Sequence, residues 1–448
     1  GSKTWVDDSN RYGSRPTGIT LNVYADSTLL SPQPVITWDK ISATNVWTYS
    51  MTGLPRYQKG TTTQVVYTVK ETAVAGYLPN TDTTVSGTVN ETSGNVTAAD
   101  FTNTLPTVSL SGNKTWDDFS NYYGTRPTGI TLSVRATGTA LSPQPVLTWV
   151  KTGDVWQYSC AGLPKYLKNS YTEAVYTVTE TVPNGYAVAS ATPAAGTVDG
   201  DGNVTGADFT NSLKTVTLSG SKTWTDQSNL YDRRPAGITL SVFADGTEIT
   251  PYTAIAWDKA SNPWTYSVSN LPRYRTGTTT AIIYTVTETA ITDYVTTPSQ
   301  TVSGTVNGTT GNITAANFTN TLGTVSISGK KIWQDQANRY HTRPASLQLT
   351  LLADGVALDP QPTPTWDTST STTEWTYSYA KVPKYQDDHV TPIVYTVQET
   401  TPINGYAAVG DTTVSGTKDA SGNVTGANFT NALITVDIGG SKTWVDDS

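Results

Sequence analysis

A lysine, a glutamate and an asparagine held together away from water can fuse into an amide, and this chain offers that trio four times. Lys114 sits in Thr107-Val108-Ser109-Leu110-Ser111-Gly112-Asn113-Lys114-Thr115-Trp116. Read as a strand, strict alternation puts Val108, Leu110, Gly112, Lys114 and Trp116 on one face and small polar residues on the other. The one charge points to the apolar side. The same test on Val175-Tyr176-Thr177-Val178-Thr179-Glu180 groups Glu180 with Tyr176 and Val178, and on Phe209-Thr210-Asn211-Ser212-Leu213 it groups Asn211 with Phe209 and Leu213. Lys3, Lys222 and Lys331, Glu71, Glu288 and Glu399, and Asn103, Asn320 and Asn431 recur in the same phase. Neighbouring polar positions vary, as Asp100, Asp208, Asn317 and Asn428 show, so the constant Asn is not a composition bias.

Burying these groups one by one costs several kcal/mol per charge, even after relaxation. Buried together they can react. Desolvation lowers the lysine pKa and raises that of the glutamate, so the pair can rest as neutral amine and neutral acid. The neutral amine is a nucleophile, and the acid can polarise the Asn carbonyl and shuttle protons while ammonia leaves. The product is a Lys–Asn isopeptide bond between the first and last strands of a domain. The plainer alternative is a lysine that snorkels past the strand edge to an exposed Glu, with Asn an ordinary turn residue.

The elements that must position the trio follow from a repeat. The motif lysines Lys3, Lys114, Lys222, Lys331 and Lys442 are 111, 108, 109 and 111 residues apart. Each copy carries Arg-Pro, Trp-x-Tyr, Leu/Val-Pro-x-Tyr, Tyr-Thr-Val-x-Glu and Phe-Thr-Asn in that order. Within a copy, alternating runs such as Ile19-Thr20-Leu21-Asn22-Val23 are broken by Pro, Gly and Asn/Asp clusters, the pattern of a sandwich of about seven short strands. The whole chain of 448 residues, 36% hydrophobic and 14% charged and rich in Thr, Tyr and Trp, therefore reads as all-β. The expected architecture is a tandem array of four Greek-key β-sandwich domains forming an elongated rod. Their boundaries fall at 1–105, 106–213, 214–322 and 323–433, with 434–448 as the first strand of a following repeat. Residues 440–448 repeat residues 1–9 unchanged, from which a longer parent array is expected, with the leading strand of the first copy truncated.

Composition also excludes. The net charge of -8 comes without a basic cluster, so nucleic acid is not expected as a partner. No run of 18 apolar residues and no leader pattern occurs, so neither a membrane span nor a signal peptide is expected within these residues. Cys160 is alone and reads as packing; His341 and His389 have no counterparts in the other copies and cannot build a repeated metal site or triad. Asp7-Asp8 and Asp117-Asp118 suggest calcium, but the third and fourth copies have Asp226-Gln227 and Asp335-Gln336, and a turn is the better reading. No cofactor or metal is expected.

Gly-x-Lys-x-Trp-x-Asp followed by those five motifs, over about 110 residues and four times, resembles the Cna B-type domain of Gram-positive surface adhesins and pilins. The resemblance covers essentially the whole chain. It implies a prealbumin-like or inverse immunoglobulin-like sandwich and a self-generated Lys–Asn crosslink promoted by a carboxylate. By position, the sets are Lys3/Glu71/Asn103, Lys114/Glu180/Asn211, Lys222/Glu288/Asn320 and Lys331/Glu399/Asn431. Departures are Asp293, where the other copies have Gly before Tyr, Val382 in place of Leu, and a first copy that begins two residues before its lysine.

The function expected is structural, not enzymatic beyond single-turnover self-crosslinking. Lys to Asn spans 100, 97, 98 and 100 positions, whereas Asn to the next Lys is always 11, so bonded domains would leave only short, apolar connectors under load. This is the behaviour of a stalk segment of a cell-surface adhesin or pilus-like protein. Its partners would be neighbouring repeats and, beyond these residues, a tip adhesin domain with its ligand. The protein is expected to be extracellular, anchored to a cell wall through sortase as the resemblance implies, and monomeric in solution. The alternative is an array of extracellular-matrix or carbohydrate-binding modules built on the Trp and Tyr residues; an enzyme acting on an added substrate is a third class.

Overall fold

The computed structural model describes residues 1–40, 44–80, 82–400 and 402–446. The Thr-, Val- and Tyr-rich alternation folds as strands throughout, and the helical pieces among the described residues are the short 3-10 turns Asp8–Asn10 and Gln227–Asn229. In the second repeat the 11-residue strand Thr107–Asp117 is central, and its side chains alternate between buried and open along its length. It pairs antiparallel with Val155–Pro164 on one edge and parallel with Val204–Thr205 and Phe209–Leu213 on the other. Thr148–Thr152 and Tyr186–Val188 extend this sheet outward, and a second sheet is formed by Thr139–Ala140, Thr131–Ala136 and Tyr176–Thr181. Val108, Leu110, Val134, Tyr158, Leu163, Val178 and Phe209 fill one core between them.

One feature of this topology matters most for chemistry. The first and last long strands of the repeat are direct neighbours and run parallel, so residues almost a hundred positions apart meet side by side. The third and fourth repeats have the same pairing, Thr215–Thr225 with Phe318–Leu322 and Thr324–Gln334 with Phe429–Leu433. The strands number more than the seven expected, because two-residue ladders such as Thr197–Val198 with Val204–Thr205 supplement the main ones.

The first repeat differs from the others. Its leading strand is only Ser2–Val6, between Val46–Ser50 and Phe101–Thr104. Its Val96–Thr97 and Thr88–Val89 form a separate two-stranded ladder, whereas in the second repeat Leu110 of the longer leading strand ties the matching ladder into the large sheet. Between Phe101–Thr104 and Thr107–Asp117 lie only Leu105 and Pro106, and Leu105 is buried with Trp5, Trp47 and Tyr77. Such a connector is packed chain, not a flexible linker. The chain gathers into two compact units, Gly1–Thr215 with Pro272–Ala281 and Val216–Leu271 with Ile282–Ser448.

Candidate intramolecular crosslink site

Strand register sets the site. Lys114 lies opposite Phe209 and Trp116 opposite Asn211, so Lys and Asn are diagonal neighbours on the inner face of one sheet. Lys3/Asn103, Lys222/Asn320 and Lys331/Asn431 have the same offset. The carboxylates come from the other sheet: Glu71, Glu180, Glu288 and Glu399 pair with Leu21, Leu132, Leu240 and Leu349. All twelve residues named from the sequence are thereby gathered into four trios.

Each lysine side chain is 0% exposed, which removes the snorkelling alternative. Lys Nζ stands 2.7, 3.4, 2.5 and 2.6 Å from Glu Oε1 in repeats one to four. In the second repeat Asn211 Nδ2 also donates to Glu180 Oε1, at 3.1 Å, so one oxygen touches both the prospective nucleophile and the amide it would attack. Burial pushes Lys114 down to about 8, against the opposing pull of Glu180. It lowers Lys3, Lys222 and Lys331 in the same way and raises Glu180. Asn103, Asn211, Asn320 and Asn431 are all buried, and the carboxamide oxygen of each accepts no hydrogen bond. An unmet buried acceptor costs about 1–3 kcal/mol. Each repeat carries that cost at the same atom.

Aromatic rings roof the trio. Lys3, Lys114, Lys222 and Lys331 Nζ lie 5.0, 4.6, 4.7 and 5.0 Å from the ring centroid of the Trp two residues on. Trp116 in turn meets Trp156 and Tyr186 edge-on at 5.2 and 5.0 Å. The Gly two residues before the lysine is needed for close approach, since a Cβ on Gly112, Gly220 or Gly329 would collide with the carbonyl of Ala207, Ala316 or Ala427.

The sequence reading missed a second buried cluster that closes the same end of each sandwich. Asp118 binds Arg126 through two hydrogen bonds and accepts another from Tyr186 OH at 3.0 Å. Asp7/Arg15/Tyr77, Asp226/Arg234/Tyr294 and Asp335/Arg343/Tyr406 repeat it. The signal available was an Asp always eight residues before the Arg of Arg-Pro. This clamp uses one of the acidic residues weighed for calcium, and no group of three metal-ligating side chains occurs among the described residues.

The departures are accommodated. Val382 is fully buried in the place of Leu. Asp293 holds the left-handed backbone, φ 74°, that Gly76, Gly185 and Gly405 adopt elsewhere, and its Oδ2 lies 2.9 Å from His389 Nδ1. Cys160 is buried, its thiol pushed up to about 11 by burial, which fits packing rather than nucleophilic work. Lys442 lies outside any strand, against the ring of Trp444.

Sandwiches recurring along one chain, each with its first and last strands pinned side by side over a buried Lys, Glu and Asn, define a tandem β-sandwich repeat protein. The chain belongs to the Cna protein B-type domain family, whose profile matches residues 1–97, 110–204, 218–313 and 327–426. It is similar to the collagen adhesin of Staphylococcus aureus, with 33% identity over 417 residues that make up 90% of this chain and 30% of that protein. The chain thus spans less than a third of that relative's length. Among solved structures it is similar to two B repeat units of the S. aureus collagen binding protein, with 22% identity, 97% of this chain and 100% of that chain covered, and a TM-score of 0.27. It is also similar to the major pilin of Streptococcus pyogenes, with 12% identity, coverage of 50% and 99%, and a TM-score of 0.24. No helix among the described residues is long and apolar enough to cross a membrane.

Proposed function

We propose that this chain is a load-bearing stalk segment of a cell-surface adhesin or pilus-like protein, in which each repeat is closed by its own Lys–Asn isopeptide bond. The domains run 1–105, 106–213, 214–322 and 323–433, and the bonds are Lys3–Asn103, Lys114–Asn211, Lys222–Asn320 and Lys331–Asn431. Neutral Lys Nζ attacks Asn Cγ while the protonated Glu donates to the carboxamide oxygen. The tetrahedral intermediate passes a proton from the attacking nitrogen, by way of the Glu, to the departing one. The Cγ–Nδ2 bond breaks, ammonia leaves, and the Glu ends as it began.

The observation that carries this reading is the parallel strand pair, which puts a fully buried lysine beside a buried asparagine in every repeat with a carboxylate within 2.5–3.4 Å. Kinship with a surface adhesin supports an extracellular, cell-wall-anchored setting, with a tip domain and its ligand beyond these residues. A ligand-binding array is less well supported, because the aromatic residues it needs include Trp5, Trp116, Trp224 and Trp333, all in the core. Protease digestion and mass mapping test the chemistry. Branched peptides joining each Lys to its Asn are the expected result, and linear peptides alone from every repeat would overturn the reading.

A further inference from the structure

The four trios are not equivalent, and the difference lies in the residue directly across from the reactive asparagine. In the third repeat that residue is Thr296, opposite Asn320. Its Oγ1 donates to Glu288 Oε2 at 3.2 Å, while Lys222 Nζ holds Oε1 at 2.5 Å. Both carboxylate oxygens are therefore engaged by donors. The matching residues are Pro79 opposite Asn103, Val188 opposite Asn211 and Ala408 opposite Asn431, none with a hydroxyl to give. In the second repeat Glu180 Oε2 has no hydrogen-bond partner, and Oε1 is shared between Lys114 and the amide of Asn211.

We propose that Thr296 is a positioning residue whose hydroxyl occupies Glu288 Oε2 and makes the third repeat slower than the second to close its crosslink. This rests on the crosslink reading above. The reaction needs the glutamate as an acid and the lysine as a free amine, and a hydroxyl donating to the glutamate stabilises its charged form instead. The oxygen that would carry the acid's proton is thereby already occupied as an acceptor. Orientation works in the same direction. Asn320 has no hydrogen bond at either side-chain atom, whereas Asn211 is held against its glutamate through Nδ2, the nitrogen that must leave. The second and third repeats thus differ in the same trio within one chain.

The test is cell-free synthesis of the full chain over a range of pH, quenched at intervals and digested, with branched and linear peptides quantified for each repeat. The second repeat is expected to close about tenfold faster than the third, the factor that corresponds to about 1.4 kcal/mol for one hydrogen bond to a charged group. Thr296→Val should raise the third repeat's rate towards that of the second and shift its pH profile upward, Thr296→Ser should keep it slow, and Val188→Thr should slow the second repeat alone. Equal rates in the unmodified chain, or a Val188→Thr chain whose second repeat closes as fast as before, would overturn the inference while leaving the crosslink intact. Absence of branched peptides from every repeat would overturn both.

Discussion

On the crosslink proposal, Asn211→Ala removes the carboxamide that Lys114 would attack and leaves the Lys114–Glu180 pair in place, so it would turn a closed loop into an open one without stripping a buried charge of its partner. The mechanical consequence can be worked out. Lys114 and Asn211 are 97 residues apart in sequence but lie on adjacent strands about 5 Å apart, as diagonal neighbours about 7–8 Å from one another. With the bond, tension steps across that gap and the residues between carry none. Without it, unfolding adds about 320–350 Å of contour at 3.3–3.6 Å per residue. Outside the loops only the 11 residues from each Asn to the next Lys remain under load, and in the first junction all but Leu105 and Pro106 of those are already strand. The assay is single-molecule pulling on the full chain held at its ends. The unmodified chain should show no step of this size, and the variant one. Four such steps from the unmodified chain, or none from the variant at forces that unfold ordinary sandwiches, would refute the reasoning.

The same variant exposes the protonation chemistry. Lys114, held near 8 by burial against an ordinary 10.5, is deprotonated in the folded state at a pH where the unfolded chain still binds its proton. The second repeat of Asn211→Ala should therefore grow more stable as pH rises from about 7.5 to 8.5, above which the Cys160 thiol and then the tyrosines ionise in the unfolded chain and act oppositely; urea midpoints read by tryptophan fluorescence would check this, and a midpoint falling within that window would contradict it. Added to that background, Arg126→Met strips Asp118, only 1% exposed, of its bidentate partner and should cost about 3–5 kcal/mol in the same urea titration. His389→Ala removes the partner of Asp293 Oδ2, whose side chain is 2% exposed, and should lower stability by about 1–3 kcal/mol, measured by chemical denaturation of a chain made unlinkable by Asn320→Ala and Asn431→Ala.

Alternation made the inward phase of Lys, Glu and Asn legible, because a residue's face in a strand depends only on parity. The shortness of the strand Ser2–Val6 was legible too, since only two residues precede Lys3 in this sequence. Parallel adjacency of Lys114 and Asn211 was not, because pairing between strands almost a hundred residues apart is fixed by the whole sandwich and by no local pattern. The Asp–Arg–Tyr clamp left a trace in the constant spacing of Asp118 and Arg126, but Tyr186 joins them only through the fold. Thr296 left no trace, because a threonine in a Thr-rich strand gains meaning only from the register that sets it opposite Asn320 and within reach of Glu288.

The most direct test of the central claim is the intact mass of the purified chain. Each Lys–Asn bond expels one ammonia molecule, so four closed repeats should leave the protein lighter than its sequence mass by four of them, with the deficit falling by one in Asn211→Ala. A mass equal to that of the unmodified sequence would contradict the account.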